Sequence, residues 1–140
     1  MMSIVTLPPD YKPSQDEEYM NERQLEYFRQ KLIDWRAELV KNSEFTLQDL
    51  KETSLQEADL NDRASSETDQ FLELRTRDRM RKLIKKINAA LDRIENGTYG
   101  YCEETGEPIG LGRLEARPVT TLSIEAQERH ERKEKLQADE

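Results

Sequence analysis

The 140-residue sequence is poor in apolar side chains, glycine, proline and cysteine. Only 34% of its residues are hydrophobic whereas 37% are charged, so a thick spherical core is not expected. The apolar residues must instead lie on narrow stripes, as they do in long amphipathic helices. No apolar run approaches the ~18 residues of a membrane span, and the start lacks the basic and apolar regions of a signal peptide. We expect a soluble cytoplasmic protein without a membrane partner.

The residues that most often carry catalysis or bind metals are almost missing. Cys102 is the only cysteine, which excludes an intramolecular disulfide and a zinc site of four thiolates. His130 is the only histidine, and the charged sequence ERHERKE around it indicates a solvated helix position. The five glycines form neither a GxGxxG motif nor a P-loop. The sequence therefore predicts a protein that is not an enzyme.

The net charge of −8 argues against a general affinity for nucleic acid. Residues 75–88 nevertheless carry one acid and seven bases. At helical spacing, four of these bases share one face, namely Arg75, Arg79, Lys82 and Lys86. Such a face suits a phosphate-bearing ligand or an acidic protein surface. The alternative is an ordinary solvated helix face.

Glycine and proline are both absent from residues 14–96, which predicts helix over most of this range. We expect the first helix at about 17–56, begun by a capping box of Ser14 and Glu17, with a break near 42–46. Its apolar residues follow the 3-4 spacing of a coiled coil. They are Leu25, Phe28, Leu32, Trp35 and Leu39, with Ile33, Ala37 and Val40 beside them.

A second helix is predicted to end at Gly97, a residue suited to the left-handed position after a helix. Its stripe comprises Met80, Ile84, Ile87, Leu91 and Ile94, extended by Phe71 and Leu74. A turn at residues 58–62 then makes the two helices an antiparallel coiled-coil hairpin. Asp59 and Asp62 at its tip have a structural interpretation as turn formers and caps. The functional alternative is that they reach a recessed site and contact a metal ion or basic groups there.

The fold class expected from these patterns is mainly α. Residues 1–16 form an N-terminal tail, and residues 17–97 form the hairpin. Residues 98–120 form a small globular module rich in turn formers, and Ser123 caps a C-terminal helix within residues 121–140. The minor core expected for the module consists of Tyr99, Tyr101, Ile109 and Leu114.

Three motifs in order resemble the DksA/TraR family of bacterial RNA polymerase secondary-channel regulators. They are ADLNDRA at the tip, LELRTRDRMRKLIKKI on the second helix and NGTYGYCEETGEPIGLGRLEARP in the module. The resemblance runs from about residue 59 to residue 123. It implies a partner, bacterial RNA polymerase, whose secondary channel between the β and β′ subunits receives the coiled-coil tip. The implied activity is control of promoter open-complex stability together with ppGpp, without sequence-specific DNA binding.

The resemblance also assigns individual residues. The family's Asp-x-x-Asp-Arg-Ala tip implies that Asp59, Asp62 and Ala64 act near the polymerase active site. The family's ppGpp pocket, shared with polymerase, falls on Arg79, Leu83, Lys86 and Arg117. Gln127 stands where many members have a basic residue, so the resemblance leaves the strength of ppGpp binding open. The function implied is a role in the stringent response and in control of ribosomal RNA promoters.

The four zinc positions of the family are degenerate in this sequence. Two C-x-x-C motifs are expected, but the chain has Cys102, Thr105, Ser123 and Ala126 at these places. Hydroxyl groups are poor zinc ligands compared with thiolate, and alanine offers none. We therefore expect no zinc. Apolar contacts should stabilise the module in its place, with Leu122 and Ile124 joining the four residues of the minor core. The expected effector is ppGpp, which binds at the polymerase interface and is not a resident cofactor.

Two other interpretations compete with a regulator of this family. A Gre-like transcript cleavage factor would use the tip acids to bring a second Mg²⁺ to the polymerase active site. A plain coiled-coil adaptor or homodimer would use the stripes for oligomerisation alone. We favour a monomer, since a hairpin that satisfies its own seam needs no partner helix.

Overall fold

The computed structural model describes residues 5–57 and 63–138, apart from the side chains of residues 50, 53–57 and 63–66. It contains four helices: α1 (Glu22–Glu57), α2 (Arg63–Asn96), α3 (Leu111–Ala116) and α4 (Ile124–Ala138). Across these residues, β structure is limited to an antiparallel bridge between Tyr101 and Pro108. None of the described helices has the length and apolar character needed to cross a membrane. The mainly α prediction is confirmed.

The chain divides into two compact units. Unit 1 comprises Met1–Leu32 and Ala89–Glu140, and unit 2 comprises Ile33–Asn88. The division cuts through both long helices, whereas the predicted domains kept residues 17–97 together. The four predicted domain limits stay a prediction.

Helix α1 begins at Glu22, so the predicted start near residue 17 is wrong. Asn21 is the capping residue, since its Oδ1 accepts a hydrogen bond from the Gln24 N–H at 2.8 Å. The Gln24 side chain reaches back and accepts the Met20 N–H at 2.7 Å. Ser14, the predicted cap, instead closes an isolated turn in which its carbonyl accepts the Glu17 N–H.

The predicted break near residues 42–46 is also wrong, because α1 continues through it. Thr46 does not cap a new helix. Its hydroxyl donates to the Asn42 carbonyl one turn earlier, at 2.9 Å, which lets the residue stay inside a continuous helix.

In unit 2, parts of α1 and α2 pair antiparallel. Arg36, early in the α1 part, donates to Asn88 Oδ1 at the end of the α2 part, at 2.5 Å. Leu47 and Ile87 are buried, whereas Trp35, Leu39, Met80 and Ile84 are half-buried. Phe71 and Leu74 were expected on the stripe, but they are 61% and 67% exposed. Both lie off the 3-4 register that contains Met80 and Ile84, so the stripe does not extend to them.

Unit 1 contains the larger core. Its largest fully buried apolar side chains come from four parts of the sequence: Phe28, Leu32, Ile94, Tyr99 and Leu114. Tyr99, Ile109 and Leu114 were predicted correctly, but Tyr101 and Ile124 are 38% and 56% exposed. Helix α4 packs through Ala126 rather than Ile124, and Cys102 and Val119 complete the core.

Two predicted helix ends are confirmed. After α2, Gly97 adopts a φ of +82°, and the Thr98 N–H donates to the Arg93 carbonyl at 2.9 Å, the hydrogen bond of a Schellman motif. Before α4, Ser123 accepts the Ala126 N–H on its hydroxyl at 3.2 Å and the Gln127 N–H on its carbonyl.

The segment before α1 is held against the Gly-rich loops of unit 1. The Tyr19 hydroxyl donates to the Gly100 carbonyl at 2.6 Å and accepts the Gly110 N–H at 2.9 Å. Met20 follows with a φ of +56°, and its side chain fills the space beside Gly100. A Cβ atom on Gly100 would lie 2.7 Å from Met20 Cγ and Sδ.

We predict that Gly100→Ala destabilises the protein by about 2 kcal/mol, because the substitution combines a positive φ with an overpacked contact. Urea denaturation followed by circular dichroism measures the loss. Gly106→Ala is the matched control, since Gly106 also has a positive φ but has nothing within 4 Å of an added Cβ. Equal losses for the two variants would contradict a role for the Met20 contact.

Candidate functional site

The predicted tip turn lies outside the described residues. Helix α1 ends at Glu57 and α2 begins at Arg63, so the predicted turn at residues 58–62 falls between the described parts of the two helices. Asp59 and Asp62 belong to that turn and are not described. Ala64 lies in the first turn of α2, and its side chain is not described either.

The four predicted bases of α2 do share one face. Arg75, Arg79, Lys82 and Lys86 line an open groove together with Asp78 and Leu83. Asp78 pairs with Lys82 at 3.0 Å. Within the described part of the chain, Arg75, Arg79 and Lys86 form no ion pair. Their exposed cations are therefore available to an anionic ligand or protein surface.

The fourth residue assigned to ppGpp belongs to unit 1. Arg117 directly follows α3, and its N–H donates to the Arg113 carbonyl at 2.9 Å. Its side chain is exposed. Arg79, Leu83 and Lys86 are brought together in unit 2, and Arg117 is described with unit 1.

The degenerate zinc positions form a hydrogen-bonded cluster around Cys102. This thiol is buried, with 3% of the residue exposed. Burial raises its pKa, but hydrogen bonds to the sulfur outweigh that effect and lower the pKa to about 6. The donors are the backbone N–H groups of Ser123, Thr105 and Glu104 and the Thr105 hydroxyl. A thiolate is therefore stabilised where a metal-bound sulfur would lie in the four-cysteine pattern.

The donor set does not fit zinc. Ser123 already uses its hydroxyl to cap α4, and the Thr105 hydroxyl accepts the Glu107 N–H at 3.2 Å. Ala126 is fully buried and offers only a methyl group. Among the described residues, no three His, Cys, Asp or Glu side chains are grouped to hold a metal ion. A closed structural zinc site requires four ligands, and Cys102 is the only thiolate here.

Two contacts in unit 1 were not foreseen from the sequence. His130 on α4 pairs with Glu104, in the loop between Cys102 and Thr105, and both side chains stay exposed, as the sequence around His130 predicted. Glu115 on α3 accepts hydrogen bonds from Tyr27 and Lys31 on α1. Both contacts join residues that are far apart in sequence, so no local sequence pattern predicts them.

The lowered pKa of Cys102 predicts a pH-dependent stability. Because the folded-state pKa of about 6 lies below the ordinary 9.0, the stabilisation is complete above pH 9.0 and is lost as pH falls toward 6. The difference in thermal midpoint between the wild type and Cys102→Ser should therefore grow from pH 6 to pH 9. Calorimetry with reductant and chelator measures it, and a constant difference would contradict a buried thiolate.

Comparisons with known proteins match the chain from α1 to α4. Residues 24–94 match the profile of the DnaK suppressor protein DksA, N-terminal domain. Residues 97–132 match the profile of the prokaryotic dksA/traR C4-type zinc finger. The second match covers the cluster around Cys102, so the chain resembles this zinc finger although three of the four expected cysteines are replaced.

Individual relatives are similar over nearly their whole length. The RNA polymerase-binding transcription factor DksA of Caulobacter vibrioides is 63% identical over 98% of this chain and 96% of its own. The Escherichia coli K12 protein of the same name is 42% identical over 99% and 91%. The solved structure of transcription factor DksA2 from Pseudomonas aeruginosa is 41% identical and covers 84% of this chain and 90% of its own, with a TM-score of 0.66.

Proposed function

The chain belongs to the DksA/TraR family, and from this premise we propose that it binds bacterial RNA polymerase and regulates transcription initiation without catalysing a reaction. The observation that carries the proposal is the 63% identity over 98% of the chain to a relative named for polymerase binding. The antiparallel helices of unit 2 and their exposed basic face support it. The site of action is then the cytoplasm, where the polymerase is.

The long helices suit entry into a narrow channel. Helix α1 has 36 residues, which corresponds to about 54 Å at 1.5 Å per residue. We place Asp59, Asp62 and Ala64 at the end that enters the secondary channel between β and β′. Carboxylates there can act on basic groups or on the metal-containing active centre of the polymerase. The proposed result is a change in open-complex stability at promoters, including those of ribosomal RNA.

We assign Arg79, Leu83, Lys86 and Arg117 to ppGpp binding at the polymerase interface. The absence of internal ion pairs at Arg79 and Lys86 in the described part of the chain supports this assignment, because no internal contact must break before they bind phosphate. Gln127 weakens the site, since its amide donates to Glu131 at 3.2 Å and carries no charge. The protein would then act in the stringent response as a monomer.

We further propose that the module works without zinc. Three observations support this: the hydrogen bonds to Cys102, the cap by Ser123 and the buried methyl group of Ala126. A structural zinc needs four ligands, and two of these three positions offer no thiolate. The fourth position, Thr105, already accepts the Glu107 N–H on its hydroxyl. Chelators should leave the fold and the regulation unchanged.

In vitro transcription from a ribosomal RNA promoter tests regulation and zinc independence together. Chelator-treated protein should inhibit transcription by purified polymerase, and ppGpp should deepen the inhibition. Metal analysis by mass spectrometry checks that the protein contains no zinc. Loss of inhibition after chelation, with recovery on adding zinc, would contradict the zinc-free module. Absence of inhibition in every condition would contradict the regulatory function.

Asp62→Asn should abolish regulation while leaving polymerase binding and helix content nearly unchanged, because the helices still dock but the acting charge is lost. The assay compares transcription with binding measured by fluorescence anisotropy. Asp49→Asn is the matched control, an exposed acid on α1 outside the tip.

Retained regulation by Asp62→Asn would favour the adaptor interpretation instead. A transcript-cleavage assay on backtracked complexes separates the Gre-like alternative, since a cleavage factor shortens the RNA and a DksA-type regulator does not.

A further inference from the structure

Arg117 follows a helix too short to hold it in place. Helix α3 has only six residues, and isolated helices of that length are not stable in water. Its N-cap residue is Gly110, which has no side chain to form a capping hydrogen bond. The position of Arg117 therefore depends on contacts that α3 and the following segment make elsewhere in unit 1.

Two residues before Arg117, Glu115 ties α3 to α1. The Tyr27 hydroxyl donates to Glu115 Oε1 at 2.6 Å. Lys31 Nζ donates to the same oxygen at 2.6 Å and to the Glu115 backbone carbonyl at 3.1 Å. The side chain and the backbone of Glu115 are thus both held by one turn of α1.

The segment after Arg117 is held as well. Pro118 is buried, and its carbonyl accepts a hydrogen bond from the Tyr99 hydroxyl at 2.8 Å. Arg113 Nε donates to the Leu122 carbonyl at 2.9 Å, which fixes the return of the chain toward α4. An exposed arginine therefore lies on a backbone that is anchored on both sides, as a preorganised binding residue should.

The charge of Glu115 is unfavourable for binding a phosphate ligand at Arg117. Burial raises the pKa of this carboxyl group, but the hydrogen bonds from Lys31 and Tyr27 lower the pKa by more than burial raises it. The pKa of Glu115 is therefore below its ordinary value. A carboxylate two residues from a phosphate-binding arginine weakens that binding by Coulomb repulsion. A carboxylate at position 115 is nevertheless useful if its contacts with α1 hold Arg117 in place.

We propose that Glu115, through Tyr27 and Lys31, is a positioning residue that holds Arg117 in its ppGpp-binding place. The proposal rests on the function assigned to Arg117 above. The proposal predicts that the charge and the hydrogen-bond acceptors of Glu115 have opposite effects on ppGpp binding. Removing the charge of Glu115 strengthens ppGpp binding, and removing its hydrogen-bond acceptors weakens it.

A matched pair of substitutions in the full-length protein distinguishes these effects. Glu115→Gln and Glu115→Ala both remove the charge, but only glutamine keeps an oxygen that accepts from Tyr27 and Lys31. Alanine favours helix, so α3 itself is not weakened. The ppGpp concentration that gives half-maximal inhibition at a ribosomal RNA promoter should be about threefold higher for Glu115→Ala than for Glu115→Gln.

Polymerase binding without ppGpp should be the same for both variants, which separates positioning from a general loss of structure. Glu104→Ala is the control, because it removes another exposed glutamate of unit 1 that is ion-paired to His130 rather than to α1. If Glu115→Ala fails to fold by circular dichroism, Tyr27→Phe removes one hydrogen bond to Glu115 and leaves the charges unchanged. It should raise the half-maximal ppGpp concentration in the same direction.

Equal half-maximal concentrations for Glu115→Ala and Glu115→Gln, or a lower one for alanine, would overturn the positioning role. Arg117→Ala distinguishes that failure from failure of the nucleotide site. If Arg117→Ala removes the ppGpp response while the two Glu115 variants remain alike, only the positioning role fails. If Arg117→Ala leaves the response intact, the ppGpp assignment of Arg117 fails and the positioning proposal fails with it.

Discussion

Burial of the Cys102 thiol is a constraint that the neighbouring loop and the start of α4 meet with hydrogen-bond donors. One loop supplies donors from Glu104 and Thr105, and the start of α4 supplies the Ser123 N–H. A negatively charged sulfur is stabilised by these donors. They bring the loop and the start of α4 together at one sulfur atom.

The absence of zinc donors has consequences for the rest of unit 1. A structural metal supplies much of the folding free energy of a small module, so the other contacts must be correspondingly complete. Tyr99 is fully buried and hydrogen-bonded, and the Tyr19 hydroxyl bonds to two Gly-containing loops. These tyrosines combine a large apolar surface with a polar group that finds its partner.

The two units distribute stability and recognition differently. In unit 2, a thin apolar seam buries Leu47 and Ile87 and leaves the bases of α2 exposed. In unit 1, a larger core supports the backbone on which Arg117 is exposed. Because the apolar residues occupy narrow stripes, most of the charged side chains face solvent.

The sequence by itself determined the two long helices, the C-terminal helix, the shared basic face of α2 and the family, because all of these depend on local spacing or on contiguous motifs. The helix ends at Gly97 and Ser123 follow from the same local patterns. The short helix α3 was not predicted. The sequence patterns misplaced the start of α1, since both Ser14 and Asn21 can cap a helix and only the contacts of Met20 and Gln24 select between them. Tertiary structure alone decided that Glu115 meets Tyr27 and Lys31, and that backbone donors surround Cys102. These contacts join residues up to 88 positions apart, and their free energy arises only when burial brings distant segments together.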